Sequence, residues 1–384
     1  MARKKHGVGF IADSHVGNHR RFGGVTVGSI NHRCRLIIDS LGCAATIANE
    51  ADCDQLVVAG DLFDTAKPAP QIVGATVRAL DIFNGQVDLL VGNHDLVSTD
   101  SFDHAMGSVQ PSDTFDIFDT PRIAPCYVGS SPTSAVIMIP FQPGDGREWL
   151  PAAVKHAVDN READYEKSAL CIHLGVYSDE YVAFVGGDKS RDAVPVGLVG
   201  DIMDQHSIDI CFAGNWHARK EFKTQSGKPV IQIGSLAATG WNDKGLADHG
   251  MYLWEPATNS YEFREVAGPR FVDLPYGDEG QREMLALLDQ EPKAHTLFVR
   301  GQADTREGML DLADRVRAIG ATPDISVDQT IAKAAAKSSA VVARSASTRI
   351  EALDKFIGAM DLKEDIDRGE IRERCTRYLA SGGT

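Results

Sequence analysis

The chain has 384 residues, 43% of them hydrophobic and 24% charged, which are the proportions of a soluble globular protein. This length exceeds one average domain and predicts two or three. A formal net charge of −15 excludes a protein that holds nucleic acid mainly through a global positive field, but it leaves room for local basic grooves and bridging metals.

No stretch approaches the ~18 uninterrupted apolar residues of a membrane span, and no signal-type apolar segment is present near the start. The seven cysteines are scattered and form no C-x-x-C pair, which predicts reduced thiols. We therefore expect a cytoplasmic protein with no membrane partner.

Five apolar runs predict buried strands, and each run ends in a short polar motif. The runs cover residues 8–12, 56–59, 87–91, 169–172 and 208–213. The motifs that follow them are Asp13-Ser14-His15, Gly60-Asp61-Leu62-Phe63-Asp64, Gly92-Asn93-His94-Asp95, His173 and Gly214-Asn215-Trp216-His217. Because open α/β sheets place their chemistry outside the carboxyl ends of the strands, we expect the motifs to meet at one sheet edge.

The remaining elements predict an α/β catalytic domain over residues 1–267. Apolar residues recur at helical spacing over 33–49, between the first two strands. Later strands at 135–139, 230–233 and 251–254 lack long intervening helices. This favours a mixed sheet or a pair of packed sheets over a pure Rossmann arrangement.

Three further segments follow the catalytic domain. Residues 268–330 alternate strand, helix, strand and helix, which predicts a small α+β appendage. Residues 331–348 are rich in Ala, Ser and Lys and predict a linker. Residues 349–384 carry two short amphipathic helices, with self-packing on the catalytic domain and docking on a partner as the alternatives.

The motifs predict a two-metal centre for phosphoester hydrolysis. Two divalent ions about 4 Å apart supply a nucleophile at neutral pH and neutralise charge on the phosphoryl oxygens. Asp61 is the natural bridging ligand. We expect one ion to be completed by Asp13, His15 and His217, and the other by Asn93, His173 and Asn215.

Mixed carboxylate, carboxamide and imidazole donors suit Mn(II), Fe(II) or Zn(II) better than Ca(II), so we expect Mn(II), with Mg(II), Fe(II) and Zn(II) as alternatives. His94 directly follows a ligand and is our candidate catalytic residue, protonating the leaving oxygen or stabilising the transition state. Asp64 and Asp95 fit the motifs, but we expect them to orient neighbours, and His19 fits no ligand pattern.

The series D-x-H, G-D-x-x-D, G-N-H-D, a lone His and G-x-x-H resembles the calcineurin-like metallophosphoesterase superfamily over about residues 7 to 250. Within it, Gly60-Asp61-Leu62-Phe63-Asp64-Thr65 and Gly234-Ser235-Leu236 resemble the SbcD-type DNA repair nucleases, including phage members that act in recombination. The resemblance implies a sandwich of two mixed β-sheets flanked by helices. It also implies exonuclease action on duplex DNA and endonuclease action on single strands.

The same resemblance implies roles for the later segments. Residues 268–330 resemble the capping domain that shapes the DNA groove, and 349–384 the segment that docks on an SbcC-type SMC-like ATPase. A homodimer within a heterotetramer is expected, in a bacterial host cytoplasm if the chain is phage-encoded. The residues expected to contact the ATPase are Ile350, Leu353, Ile357, Met360, Ile371 and Tyr378.

The last motif departs from the family pattern Gly-His-x-His, because Asn215 stands where an imidazole is usual. A carboxamide is a weaker donor to a transition metal, so we expect a weakened second site, arising either naturally or from a substitution that silences the enzyme. Two alternatives to an active nuclease therefore stay open: a phosphoesterase for small substrates, and a silenced DNA-end-binding subunit.

A basic stretch on the Gly-rich loop after the first motif supplies the DNA-contact candidates. We expect DNA phosphates to be contacted by Arg20, Arg21 and Arg33. The alternative is that this stretch is a solvated loop and helix start. Trp216 lies between two ligand positions and is a candidate for stacking on a base, with packing as the alternative.

Overall fold

The computed structural model describes residues 7–19, 23–99, 102–109, 114–128, 131–178, 191–243, 249–291 and 294–327, together with residue 373. The chain divides into two compact units. One comprises Met1–Val272 with Pro292–Phe298, and the other Asp273–Glu291 with Val299–Thr384.

The described strands are numbered in chain order. They are β1 (Gly7–Ile11), β2 (Thr26–Val27), β3 (Ile30–Asn31), β4 (Cys53–Val58), β5 (Gln86–Leu90), β6 (Phe115–Phe118), β7 (Arg122–Val128), β8 (Ser131–Ile139), β9 (Lys167–Ile172), β10 (Gly175–Tyr177), β11 (Ala193–Pro195), β12 (Ile210–Ala213), β13 (Lys220–Lys223), β14 (Pro229–Gln232), β15 (Gly250–Glu255), β16 (Ser260–Glu265), β17 (Arg270–Asp273), β18 (Leu297–Ala303) and β19 (Thr322–Val327). The described α-helices are α1 (His32–Glu50), α2 (Pro70–Leu80), α3 (Gly146–Asp159), α4 (Val196–Gln205), α5 (Asp278–Leu288) and α6 (Arg306–Ala318).

Two six-stranded mixed sheets form the larger unit. The first has the order β16-β15-β1-β4-β5-β6. In it β1, β4, β5 and β6 run parallel to one another, β15 runs antiparallel to β1, and β16 runs antiparallel to β15. The second has the order β13-β14-β12-β9-β8-β7, with four parallel strands at its centre and an antiparallel strand at each edge. The predicted α/β fold with two packed mixed sheets is therefore confirmed.

The sheets face each other across an apolar layer, which follows from the two-residue period of strands. In β1, Val8 and Phe10 face this layer, while Ile11 points to the opposite side. Phe10 stacks on Phe212 of β12 with ring centroids 3.9 Å apart. A strand that is buried on both faces reads as a continuous apolar run, as these strands do in the sequence.

Helices cover the outer faces of both sheets. The predicted helix over 33–49 is α1, which begins after Asn31, whose side chain accepts the Cys34 N–H at 2.8 Å. Its apolar stripe packs with α2 on the first sheet. Helices α3 and α4 pack on the second sheet. The layers are thus helix, sheet, sheet and helix.

In the smaller unit the described elements include α5, α6, β19 and most of β18. The alternation of strand and helix predicted for 268–330 agrees with these elements. Its role as a capping domain, and all the domain boundaries, stay predictions. Apart from residue 373, the linker and the C-terminal segment lie outside the described residues.

One expectation is wrong in detail: the polar motifs do not share one sheet edge. The first three follow β1, β4 and β5 of the first sheet, and the last two follow β9 and β12 of the second. The carboxyl ends of the parallel strands of both sheets therefore supply the site. Among the described residues, no helix combines the length and apolarity needed to cross a bilayer.

Candidate metal centre

The seven predicted metal ligands all lie in loops directly after parallel strands. With the strand that each follows, they are Asp13 and His15 (β1), Asp61 (β4), Asn93 (β5), His173 (β9), and Asn215 and His217 (β12).

Four of these residues adopt a left-handed backbone. The φ angles are 50° for Asp13, 46° for His15, 51° for Asp61 and 78° for Asn215. This conformation costs a non-glycine residue roughly 1–2 kcal/mol, and Asp, Asn and His tolerate it better than most residues do. The strained turns bend the chain sharply at the strand ends, so that the side chains converge.

A first group of candidate ligands consists of Asp13, His15 and His217, whose ligand atoms lie within 4.8 Å of one another. The Nε2 atoms of His15 and His217 are 3.1 Å apart. Two imidazole nitrogens this close need a proton or a cation between them. The group therefore fits a divalent ion.

A second group consists of Asp13, Asp61 and His173, all buried and again with ligand atoms within 4.8 Å. The Oδ2 atom of Asp61 lies 3.3 Å from His173 Nε2 and 3.6 Å from His15 Nε2, so the same oxygen faces both groups. Asn93 Oδ1 lies 3.0 Å from His173 Nε2. This arrangement gives Asp61 the position expected of a bridging carboxylate.

Hydrogen-bond acceptors that face Nδ1 of two histidines determine which ring nitrogen points into the site. His173 Nδ1 lies 2.7 Å from the carbonyl oxygen of Ala59, which can only accept, so Nδ1 donates. His217 Nδ1 likewise faces the Asp243 carboxylate at 3.1 and 3.2 Å. Both rings therefore present Nε2 to the centre, as metal-binding histidines do.

The electrostatics of the buried groups indicate a site built around positive charge. Burial raises the pKa of Asp13 to about 6 and lowers that of His15 to about 3. Burial alone would raise the pKa of Asp61, but His173 outweighs it and the pKa falls below its usual range. Burial would likewise lower the pKa of His173, yet Asp61 raises it to about 10. The carboxylates of this centre thus favour positive charge next to them, as a metal-binding site does.

Asn215 contacts the centre through its backbone. Its N–H donates to both carboxylate oxygens of Asp13 at 3.0 Å, and its side-chain Nδ2 donates to the Asp192 carbonyl at 2.7 Å. This leaves Oδ1 as the only side-chain atom that is able to bind a cation.

His94 stands at the mouth of the centre and is exposed. Its backbone N–H donates to Asp61 Oδ1 at 2.9 Å, and its ring meets the His15 ring edge-on with centroids 4.7 Å apart. Its Nδ1 lies 3.4 Å from the carbonyl oxygen of Asp64. This position lets the ring reach a substrate.

Asp95 is a structural carboxylate, in agreement with the sequence prediction. It is fully buried and accepts the Phe63 N–H at 3.2 Å and the Gly92 N–H at 2.9 Å, which ties the second motif to the third. Asp64, by contrast, forms a third candidate ligand group with His15 and His94. His19, which sequence reasoning set aside, places Nδ1 3.5 Å from Asp64 Oδ2.

The structure gives Arg33 a role different from the predicted DNA contact. Arg33 is only 5% exposed, and its guanidinium stands 5.2 Å from the centre of the Phe271 ring. A guanidinium held in this way does not offer a surface to phosphates. Trp216 is half-buried, and its ring fills the space where a side chain at Gly175 would lie.

The remaining predicted binding residues lie outside the described residues. They are Arg20 and Arg21 on the basic loop, and Ile350, Leu353, Ile357, Met360, Ile371 and Tyr378 at the C-terminal end.

Asp243, Thr239 and Asp192 are site residues that sequence reasoning missed. Asp243 and Thr239 lie in the loop that follows β14 and the stretch Gly234-Ser235-Leu236, and Asp192 contributes a backbone carbonyl. The position of this loop after a predicted strand is the signal that could have found Asp243 and Thr239, whereas a backbone carbonyl leaves no signal in the sequence.

The model of the calcineurin-like phosphoesterase family matches residues 7–219, more than half of the chain. The chain belongs to this family. It is therefore a metal-dependent hydrolase of the metallophosphoesterase type, and the family's centres hold two metal ions. The two candidate ligand groups fit this requirement.

Several solved structures are similar to this chain. A dimetal phosphatase from Danio rerio has 13% identity and a TM-score of 0.43, covering 69% of this chain and 98% of its own. A purple acid phosphatase from yellow lupin seeds has 12% identity and a TM-score of 0.43, covering 68% and 52%. Vps29 from Entamoeba histolytica, complexed with zinc, has 12% identity and a TM-score of 0.27, covering 68% and 98%. These likenesses are too distant to indicate a substrate, and no curated protein matches the chain.

Proposed function

We propose that the chain is an SbcD-type DNA nuclease that hydrolyses phosphodiesters with two divalent ions, preferably Mn(II). The observation that carries this proposal is the position of Gly234-Ser235-Leu236, one of the two stretches that resemble the nucleases. The Ser235 N–H donates to the His217 carbonyl at 3.1 Å, and the Leu236 N–H donates to the Ala12 carbonyl at 2.9 Å. This stretch therefore supports two ligand-bearing loops of the centre directly.

The chain's own residues have distinct parts in this reaction. The ions, held by the two ligand groups, would activate water and neutralise the phosphoryl oxygens. Asp61 fixes the backbone of His94, and the Asp64 carbonyl faces His94 Nδ1. The Nε2 atom of His94 then gives a proton to the leaving oxygen, a contribution of typically 10²–10⁴ in rate.

The proposal is tested by incubating the purified chain and Mn(II) with labelled duplex and single-stranded DNA. A phosphomonoester, p-nitrophenyl phosphate, and a diester, bis(p-nitrophenyl) phosphate, serve as small comparators. We expect cleavage of DNA and of the diester, and a loss of both in His94→Gln while metal binding persists. Turnover of the small esters without any DNA cleavage would instead support the small-substrate phosphoesterase.

We further propose that residues 349–384 dock on an SbcC-type SMC-like ATPase and that two copies of the chain assemble in that complex. The full chain should be retained by such an ATPase, and a chain ending at residue 348 should be lost while keeping its diesterase activity. Equal retention of both chains would contradict this docking segment.

A DNA-end-binding subunit without catalysis is the second candidate, and Asn215 favours it. Its carboxamide replaces an imidazole and already donates to Asp192. In this case the chain binds duplex ends with Mn(II) present but cleaves neither DNA nor the small diester.

A further inference from the structure

Asp243 lies directly behind one histidine of the metal centre. Both of its carboxylate oxygens face His217 Nδ1, at 3.1 and 3.2 Å, and Asp243 is 5% exposed. A buried carboxylate that contacts a ring nitrogen through both oxygens restricts the rotation of that ring. It also requires Nδ1 to carry the hydrogen, because a carboxylate only accepts.

The Asp243 carboxylate is itself held in place. Its Oδ2 atom accepts the Thr239 N–H at 2.7 Å and the Thr239 hydroxyl at 2.5 Å. The Asp243 N–H donates to the Gly240 carbonyl at 3.1 Å, which closes the turn that brings Asp243 back to Thr239. Rotation of the Asp243 side chain about χ1 would break its contacts with Thr239.

The buried Arg33 adds charge to this arrangement. Its guanidinium lies within electrostatic reach of both Asp243 and Asp64. Its Nη2 atom lies 3.4 Å from the point that a Cβ at Gly240 would occupy, so the turn packs closely on it. The positive charge of Arg33 thus compensates the negative charge of the Asp243 carboxylate. This compensation explains why a buried cation lies next to a site that binds cations.

We propose that Asp243 is a positioning residue of the metal centre: it holds His217 with Nε2 directed at Asp13 and His15, and Thr239 and Arg33 hold Asp243. Metal-binding histidines commonly donate their second N–H to such a carboxylate, and its loss typically lowers metal affinity 10–100-fold. This assignment goes beyond the proposed nuclease activity, because it concerns the centre and holds for any phosphoester substrate.

The test is a calorimetric titration of Mn(II) into the metal-free full-length chain and into Asp243→Asn. This substitution keeps the shape of the side chain but removes the carboxylate. Asp201→Asn, at an exposed position of α4, is the matched control. We expect Asp243→Asn to weaken one of the two sites 10–100-fold and to leave the other within about threefold.

A second readout is the hydrolysis of bis(p-nitrophenyl) phosphate as a function of Mn(II). A positioning role predicts that Asp243→Asn needs 10–100 times more Mn(II) for half-maximal rate but recovers much of the maximal rate when saturated. If Asp243→Asn does not fold, Thr239→Val carries the test, since it keeps the backbone hydrogen bond and removes the hydroxyl that donates to Asp243 and lies 3.2 Å from His217 Nδ1. Thr239→Val should then weaken the same site by a smaller factor.

Unchanged Mn(II) affinity in Asp243→Asn, or in Thr239→Val where that variant carries the test, would overturn the assignment. An equal loss at both sites would also overturn it, because that result describes a general packing residue. A chain that binds two Mn(II) ions with the expected asymmetry but cleaves no DNA would refute the nuclease proposal alone.

Discussion

His15 and His217 face each other through their Nε2 atoms, 3.1 Å apart, although they follow strands of different sheets. Burial lowers the pKa of His15 to about 3, so this ring is neutral at physiological pH. A divalent ion placed between the two nitrogens would link the two sheets directly. Metal binding is thus expected to stabilise the fold as well as to supply chemistry.

Removal of metal should therefore lower the melting temperature. A ligand present at 100 times its Kd stabilises the folded state by about 2.7 kcal/mol. The expected result is a drop of several degrees on treatment with EDTA, reversed by Mn(II), measured by scanning calorimetry. In the double variant His15→Ala and His217→Ala the part of the response to Mn(II) that is due to the ion between these rings should vanish. A full response in that variant would place the stabilising ion elsewhere.

Metal binding should also release protons. Asp61 outweighs the effect of burial and raises the pKa of His173 to about 10, so at pH 7 this ring holds a proton on the nitrogen that a metal needs. The ion must displace it, and affinity should rise about tenfold per pH unit between pH 6 and 8 for each proton displaced. Titrations in two buffers of different ionisation enthalpy should give different apparent heats. Equal heats would show that no proton leaves.

Gly60 is needed for the approach of His173. Its φ is 94°, and a Cβ there would lie 2.0 Å from His173 Nδ1. Gly60→Ala should cost about 2–5 kcal/mol of folding free energy and weaken metal binding, because it adds a collision to backbone strain. Gly227→Ala is the matched control, since Gly227 has a φ of 85° and nothing within 4 Å of its Cβ position. Similar melting temperatures for the two variants would contradict the collision.

The sequence sufficed for the fold, and it named the residues that the structure brings together in two candidate ligand groups, because strand and ligand signals coincide. A continuous apolar run such as 8–12 has few interpretations other than a buried strand, and a polar motif at its end marks the carboxyl edge. The same runs do not reveal which sheet they join, since strands of both sheets are buried on two faces. The division of the motifs between two sheets is therefore a property of the folded structure alone.

Contacts between distant parts of the chain account for the other differences. Arg33 looks like a surface charge in its local sequence, but Phe271 packs over it. Asp243 lies in a turn after β14, and only the folded structure brings it to His217. Long-range packing of this kind leaves no periodic trace in a single sequence.

Asp88 should make stability depend on pH. It lies in β5, is 2% exposed, and accepts a hydrogen bond from Gln55. Burial raises its pKa to about 7, so folding favours its protonated form. The contribution of Asp88 to the free energy of unfolding is fully present below about pH 4 and is lost as the pH rises towards 7. The total loss is on the order of 4 kcal/mol.

Asp88→Asn removes this titration and should be more stable relative to the unsubstituted chain at pH 8 than at pH 4.5. The measurement is the difference in melting temperature between the two chains at each pH, with EDTA present to exclude the metal contribution. Asp201→Asn should show no such pH-dependent difference. A constant difference for Asp88→Asn across this range would mean that Asp88 does not titrate there.

Asn215→His should strengthen the second metal site. The backbone N–H of residue 215 already fixes Asp13, and a histidine tolerates the left-handed φ of 78° better than most residues do. An imidazole at this position offers one nitrogen to the Asp192 carbonyl and the other to a metal, whereas Asn215 has only Oδ1 to offer. We expect a tenfold or larger gain in Mn(II) affinity at one site, on the order of 1.4 kcal/mol, and a higher rate of diester hydrolysis.

Asn215→Ala is the matched control, because it removes the carboxamide oxygen while leaving the backbone contact with Asp13. If Oδ1 contributes to the second site, affinity should fall in the order His, Asn, Ala at position 215. Equal Mn(II) affinity and equal hydrolysis rates in all three chains would show that Asp13, Asp61 and His173 hold that ion without residue 215. The departure from the family pattern would then not lower metal affinity.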